Sequence, residues 1–283
     1  MSSPAALAPA EVGLRAMADI VATRPALVLT GAGMSTDSGI PDYRGPDGTR
    51  RVTPMQFGEF VGSGEARRRY WARSFVGWQR FTQAGPNAGH HAVTRLQSAG
   101  LVGAVITQNV DGLHQAAATR EVTELHGALA DVVCLTCGDR SRRIDLDRRM
   151  HDDNPGFVVD GEEIRPDGDV SLEEVDVARF VAPLCLACGS DTLKPDVVFF
   201  GESVPRERVD HCYDLTERAG ALLVLGSSLA VMSGLRFVRR AAARRIPVLI
   251  LTRHLARGEE LATVRVSADL SESLETLCEL LDT

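Results

Sequence analysis

Short apolar runs bounded by Gly, Pro or polar residues recur along this chain, at Ala26 to Thr30 (ALVLT), Val102 to Thr107 (VGAVIT), Val197 to Phe200 (VVFF), Ala221 to Leu225 (ALLVL) and Ile246 to Leu251 (IPVLIL). Their length and β-branched content predict strands buried on both faces, as in a parallel sheet. A helix-compatible stretch follows from Met34, and helical patterns span Arg206 to Ala219 and Leu235 to Arg245. Strand alternating with helix predicts an α/β fold built on a Rossmann-like, doubly wound parallel sheet. From about Val132 to Val197 the alternation breaks. That segment opens on Cys134-Leu135-Thr136-Cys137, closes on Cys185-Leu186-Ala187-Cys188 and encloses an acidic stretch containing Gly and Pro. The reading is therefore a Rossmann-like domain in two parts, 1–131 and 197–283, with a small module inserted at 132–196.

Length and composition fit this. The chain has 283 residues, 44% of them hydrophobic, enough for one large domain carrying a smaller one. A net charge of −7 argues against broad affinity for nucleic acid or anionic membrane, which rests on basic surface. The opening MSSPAALAPAEVGLRAMADIV has no long apolar segment and no Arg-rich amphipathic pattern, and no apolar run reaches the roughly 18 residues that span a membrane. A cytoplasmic location is expected.

Six cysteines are too few for a disulfide scaffold in a chain of this size. Four of them form two CxxC pairs, which favours metal over cross-linking. Such pairs let backbone turns present Cys134, Cys137, Cys185 and Cys188 to one tetrahedral zinc ion, closing its coordination shell and making it structural. Residues 138–184 separate the pairs, more than a zinc ribbon normally has, so a loop insertion in a zinc-ribbon-like module is required. Two reactive redox CxxC motifs are the alternative. Cys212 and Cys278 lie in helical patterns and read as small buried hydrophobes.

The first strand runs into Gly31-Ala32-Gly33, a turn that permits close backbone approach to a pyrophosphate at the start of a helix. As a dinucleotide fingerprint it is incomplete. The third glycine would fall at Thr36, and no acidic residue follows about 20 positions on in a clear βαβ setting. A plain tight turn fits equally well.

The longer context adds a resemblance. Residues 31 to 45, GAGMSTDSGIPDYRG, resemble the first signature of the sirtuins, and TQNVDGLH at Thr107 to His114 resembles the second. ELHG at Glu124 to Gly127 is similar to the family's catalytic motif, GSSL at Gly226 to Leu229 to its late phosphate and ribose loop, and KPDVVFFGE at Lys194 to Glu202 to its substrate-binding strand. These occur in the family's order over roughly residues 26 to 270, with the cysteine pairs in their usual place. GIPDYRG, YWARSFVGW and KPDVVFFGE together are similar to class II sirtuins, the group containing the mitochondrial type with a long zinc-module loop.

The resemblance implies an NAD-dependent protein-lysine deacylase of the deacetylase type, which transfers the acyl group to ADP-ribose and releases nicotinamide. Its substrates would be acyl-lysine proteins, and its cofactors NAD and one structural zinc. It further implies His126 as the base, a role suited to an imidazole that titrates near neutrality, with Asn109 and Asp111 beside it in catalysis. Asn109 and Asp111 would hold ribose and the nicotinamide amide, and Gln108 the ribose hydroxyls. Gly31, Ala32, Gly33, Ser35, Thr36 and Val110 would line the cofactor site, with Ile40, Asp42, Tyr43 and Arg44 forming a mobile cofactor loop. Gly226, Ser227 and Ser228 would meet phosphate or ribose, and Val198, Phe199, Phe200, Gly201 and Glu202 the substrate. One position departs from the pattern: where the family usually has an Asn that reads the adenosine ribose, this chain has Thr252. Thr252 and Asp269 are nevertheless expected at that end. A protein ADP-ribosyltransferase or a catalytically idle NAD or ADP-ribose sensor on the same scaffold are the alternatives, and the intact His126, Asn109 and Asp111 weigh against the sensor.

Tyr70 and Arg73 have a Tyr-x-x-Arg spacing that resembles the pair with which desuccinylating sirtuins hold an acyl carboxylate, and Arg suits that task through paired hydrogen bonds. Alternatively, Tyr70, Trp71, Phe75 and Trp78 form one packed helical face.

Overall fold

The computed structural model describes residues 9–43, 49, 53–157, 165, 167–170 and 172–283. Along the chain come α1 (Pro9–Thr23), β1 (Ala26–Thr30), α2 (Phe57–Gly62), α3 (Gly64–Phe81), α4 (Ala88–Ser98), β2 (Val102–Thr107), α5 (Leu113–Ala116), β3 (Val122–Glu124), β4 (Gly127–Cys134) and β5 (Arg140–Arg142). Then follow α6 (Arg143–Asp153), α7 (Glu174–Arg179), β6 (Leu193–Val197), α8 (Arg206–Arg218), β7 (Ala221–Leu225), α9 (Met232–Ala243), β8 (Val248–Leu251), β9 (Val264–Val266) and α10 (Leu270–Leu280).

Six strands form one parallel sheet in the order β3-β2-β1-β7-β8-β9. Every residue of β1, β7 and β8 is buried, because helices cover both faces. Val28, Leu223 and Leu249 face α1, α4 and α10, which contribute Met17, Leu96 and Leu274. Leu29, Leu222 and Ile250 face the opposite way, toward Cys212 of α8 and Phe237 of α9. Alternate residues of one strand thus serve two cores, which is why these strands read as unbroken apolar runs. Chain order along the sheet reverses at the β1–β7 pair, and the crevice beyond the carboxyl ends of two such strands is where an open α/β sheet places its ligand.

The second sheet is small and antiparallel, in the order β5-β4-β6. A third apolar cluster joins it to α3: Tyr70, Trp71 and Phe75 pack with Leu129, Val132, Leu146 and Met150. The Trp71 indole donates to the Leu193 carbonyl at 2.9 Å, tying that helix to β6. Tyr70, Trp71 and Phe75 are therefore a packed helical face. The small sheet is thus packed against a helix from much earlier in the chain.

Two expectations are corrected. Val197 to Phe200 is not a strand of the parallel sheet: β6 ends at Val197 and pairs antiparallel with β4. An apolar run of that length reports burial but not the partner, and here the partner is the small sheet. The stretch from Met34 is not an α-helix either. It forms two short 3₁₀ turns, Ala32–Met34 and Thr36–Ser38, and Gly39 ends the second with φ +82°. Ser, Thr and Asp in MSTDSG bond locally or to neighbouring loops instead of continuing a helix.

Behind β1 and β2 lie two buried histidines. His114 Nε2 is 3.2 Å from Thr30 Oγ1, which donates to Thr107 Oγ1. His90 sits at the third position of α4 and closes a capping box with Asn87. The two rings meet edge to face at 4.9 Å, and His90 Nε2 and His114 Nδ1 have no hydrogen-bond partner. Burial lowers the His90 pKa to about 4 and that of His114 to about 3. A histidine that is harder to protonate folded than unfolded stabilises the fold above the ordinary range, and this stabilisation is lost as pH falls from about 6.5 toward the folded values. For two such groups the loss between about pH 7.5 and about pH 5.5 is roughly 2 to 3 kcal/mol. Urea midpoints at both pH values measure it. His90→Gln keeps an amide able to close the capping box and should show a shallower fall than the native chain; an equal fall would exclude His90 as a source.

Candidate functional site

A cavity of about 1330 Å³ opens at the carboxyl ends of β1, β2 and β7. Its floor is two loops in close contact. The Gly33 N–H donates to the Gly226 carbonyl at 2.9 Å, and a Cβ at Gly33 would stand 2.8 Å from that oxygen. A Cβ at Gly31 would stand 2.8 Å from Ser227 Cβ. The glycines of the GAG turn are therefore required by the neighbouring loop, and the turn opens no helix N-terminus.

Residues 108–111, which follow β2, lace these loops together. Gln108 Nε2 donates to the Thr30 carbonyl at 3.0 Å and to Ser227 Oγ at 2.8 Å. Asn109 Nδ2 donates to the Gly31 carbonyl at 3.1 Å and to Ser35 Oγ at 3.0 Å. Ser35 Oγ in turn donates to Asp111 Oδ2 at 2.6 Å, while Asp111 Oδ1 accepts from the Leu113 N–H at 3.0 Å. Burial raises the Asp111 pKa, and the Ser35 hydrogen bond opposes that.

His126 lies between the two sheets, just before β4. Gly127 holds the turn with φ +80°, and a Cβ there would overlap the Asp196 carbonyl. The His126 carbonyl accepts from the Val198 N–H at 2.7 Å. Its Nδ1 is 2.8 Å from the Gln108 carbonyl, an acceptor only, so Nδ1 carries the proton of the neutral ring. Nε2, left with its lone pair, accepts from Ser233 Oγ at 2.8 Å. Burial lowers the His126 pKa; the Gln108 carbonyl opposes, and Arg208 and Arg236 add to the lowering. The ring is a neutral base facing a cavity.

Val198, Phe199, Phe200, Gly201 and Glu202 form one wall. Glu202 is committed to holding that wall: its Oε2 accepts from the Phe199 N–H at 2.8 Å and from the buried Lys194 Nζ at 3.1 Å. Ala32, Thr36, Ile40, Asp42, Tyr43, Val110 and Ser228 also line the cavity; Arg44 lies outside the described residues. At the far end Thr252 and Asp269 line it. Asp269 also caps α10 through the Glu272 N–H and pairs with Arg253, so its carboxylate is already engaged.

Tyr70 reaches the cavity and Arg73 does not. Arg73 lies within electrostatic reach of Asp167 and Asp169, as Tyr70 does, and its Nε is buried without a hydrogen-bond partner. Ser233 and Asp167 are lining residues that sequence motifs did not indicate, since a serine in a helical pattern and an aspartate in an acidic loop carry no signature.

Cys134, Cys137, Cys185 and Cys188 come together with all four sulfurs within 4.8 Å of one another. Cys134 to Cys188 and Cys137 to Cys185 are each 3.7 Å, close to the edge of about 3.8 Å that zinc–sulfur bonds of about 2.3 Å give a tetrahedron. The two knuckles are built alike. Gly138 N–H donates to the Cys134 carbonyl and Gly189 N–H to the Cys185 carbonyl, each at 2.8 Å, with φ of +78° and +72° at the glycines. The donor set fits one structural zinc.

Residues 31–233 match the Sir2 family. The chain belongs to that family. It is 52% identical to NAD-dependent protein deacetylase 1 of Streptomyces coelicolor, over 97% of this chain and 92% of that one. It is 48% identical to NAD-dependent protein deacetylase 1 of Mycobacterium avium, over 92% and 93%. A solved complex described as Sir2, p53 peptide and NAD+ is 29% identical, with a TM-score of 0.75 over 94% of this chain and 97% of that one. Among the described residues of this sirtuin, no helix is long and apolar enough to cross a membrane.

Proposed function

We propose that this sirtuin removes acyl groups, acetyl foremost, from protein lysines in an NAD-dependent reaction. The observation that carries this is His126: a neutral imidazole whose tautomer is fixed by the Gln108 carbonyl, with Nε2 directed into a cavity floored by the GAG and GSS loops. NAD supplies an electrophilic ribose carbon and nicotinamide as the leaving group. The overall balance converts acyl-lysine, NAD and water into lysine, nicotinamide and O-acyl-ADP-ribose: the nicotinamide–ribose and acyl–lysine bonds break, and an ester bond to ribose forms. His126 Nε2 takes the proton of a ribose hydroxyl. Gln108, Asn109 and Asp111 orient ribose and carboxamide, with Ser35 supporting Asn109 and Asp111 and Ser227 supporting Gln108. Gly31, Ala32, Gly33, Gly226, Ser227 and Ser228 receive the phosphates, Ile40, Asp42, Tyr43 and Arg44 close over the cofactor, and Thr252 and Asp269 meet the adenosine end. Residues 198–202 present backbone to the acyl-lysine peptide.

Within the family the chain is assigned to class II, like the mitochondrial type, on GIPDYRG, KPDVVFFGE and the long 138–184 insertion. The insertion at 132–196 acts as the zinc unit, with α2 and α3 packed against it. A cytoplasmic location agrees with four cysteines gathered as a metal set rather than joined in disulfides, and the net charge of −7 with protein rather than nucleic-acid substrates.

Incubation with NAD and an acetyl-lysine peptide tests the reading. Mass spectrometry should find the deacetylated peptide, free nicotinamide and O-acetyl-ADP-ribose in equal amounts. ADP-ribose mass on protein without deacetylation would establish the transferase instead. Nicotinamide in excess should inhibit, since it can recombine with the ribose it left; undiminished turnover at saturating nicotinamide would exclude that order of steps.

A further inference from the structure

The first residues of α8 and α9 reach the cavity, Arg206 from one helix and Met232, Ser233 and Arg236 from the other. The two helices pack together, with the Tyr213 and Phe237 rings 5.3 Å apart. Ser233 donates to His126 Nε2, and Arg236, three residues on, is close enough to act electrostatically on the same imidazole. This cation therefore stands at the end of the cavity that holds the base.

No carboxylate among the described residues pairs with it. Arg236 is partly exposed, its Nε donates to the Met232 carbonyl of its own helix at 3.3 Å, and its two terminal nitrogens have no partner among the described residues. Its helix, MSGLRFVRRAAA, contains no acidic residue. Glu202, on the wall that leads to α8, is taken by Lys194 and the Phe199 amide. Arg206 adds a second positive charge, since its own partner, Asp210, lies 3.5 Å away in a pair open to solvent, where attraction is weak. Glu207, next to Arg206, does not line the cavity.

Beside these cations the surface is apolar: Val231 and Met232 are exposed and line the cavity together with Val204. An acyl-lysine has to carry its acyl group to the ribose beside His126, which leaves its neighbours in the peptide at the entrance, about 3.8 Å apart from Cα to Cα. A guanidinium with both terminal nitrogens free takes a carboxylate through paired hydrogen bonds and repels an ammonium. We propose that Arg236 is a specificity residue that reads the sequence around the acyl-lysine, favouring protein substrates with an acidic residue within two positions of it. This rests on the deacylase reading and deepens it. The chain's net charge of −7 by itself disfavours acidic partners, so such a preference is the work of local charge.

The test measures kcat/KM at low salt for acetyl-lysine peptides with Glu, Gln or Lys placed in turn at each of the two positions on either side of the acetyl-lysine. At one or more of these positions the order should be Glu above Gln above Lys, with Glu about two- to fivefold above Gln, the worth of an exposed ion pair. The ratio should shrink in about 1 M salt. Arg236→Gln should bring the Glu-to-Gln ratio to about one. Arg15→Gln, which removes the same charge from α1 on the opposite face of the sheet, should leave it unchanged. Because a ratio is read, loss of stability alone does not move it. A native ratio near one at all four positions, an unchanged ratio in Arg236→Gln, or an equal fall in Arg15→Gln overturns the proposal, while turnover of the acetyl peptides leaves the deacylase reading standing. A rise in KM for NAD in Arg236→Gln that is the same with every peptide, with the ratio kept, would assign Arg236 to the cofactor and also overturn it. If no acetyl peptide is turned over with NAD, both readings fall together. Should Arg236→Gln not fold, the native order and its salt dependence decide.

Discussion

Replacing His126 with alanine should lower deacylation by at least 10²- to 10⁴-fold, the usual worth of a positioned general base, while NAD binding changes little. The two effects separate because His126 contacts Gln108 only through that residue's carbonyl, whereas the Gln108 side chain is held by Thr30 and Ser227 and Asn109 by Gly31 and Ser35. Those bonds survive the substitution. Nicotinamide release in the presence of peptide measures the first effect, and titration calorimetry with NAD the second. The pH profile adds an independent check. Burial lowers the His126 pKa, so the base remains unprotonated below the ordinary histidine range, and the acid limb of the native rate should lie below about 6.5. Ser233→Ala removes the hydroxyl donor to Nε2 and should move that limb upward. Turnover of His126→Ala within tenfold of the native rate would remove this residue from the mechanism.

The parallel sheet was legible because its strands are buried on both faces: ALVLT and ALLVL are apolar nearly throughout, and a short run of that kind between turn residues is what a doubly covered strand requires. β3 and β9 were not, being three residues each and only partly covered. VVFF was misplaced for the converse reason. Its side chains are shared between the small sheet and the cavity wall, and composition cannot say which sheet a buried segment joins.

At the site, the motif residues lie around one cavity, and their contacts within the protein are not written in the motifs. The glycines of GAG look from sequence like an approach to phosphate, yet Gly33 and Gly226 already press on each other. Glu202 reads as a substrate residue but holds Lys194 and the Phe199 amide. Tyr70 and Arg73 differ in their surroundings. Three positions along a helix bring two side chains near one face, but Arg73 lies beyond the cavity's edge, by Asp167 and Asp169. Those carboxylates come from far along the chain, out of reach of any local pattern.

Removing the metal should have the other large effect, and its reach follows from where the strands end. β4 begins directly after His126 and finishes at Cys134, while β6 leads from just past Cys188 to Val198. The knuckles thus pin the far ends of the two strands whose near ends carry the base and the substrate wall. Structural zinc contributes about 10 kcal/mol or more to small modules, and without it four buried or clustered thiols would replace a bonded shell. The freshly purified protein should contain one zinc per chain. Chelation, or Cys185→Ser, should abolish amide protection in β4, β5 and β6 by hydrogen exchange, while β1, β2, β7 and β8, whose cores lie between their own helices, stay protected. Activity should fall in step with protection in β4 rather than ahead of it, because a closed four-thiolate site leaves no position for substrate. Active protein free of zinc, or exchange unchanged after chelation, would exclude the structural role; activity lost while β4 remains protected would place the metal in the chemistry.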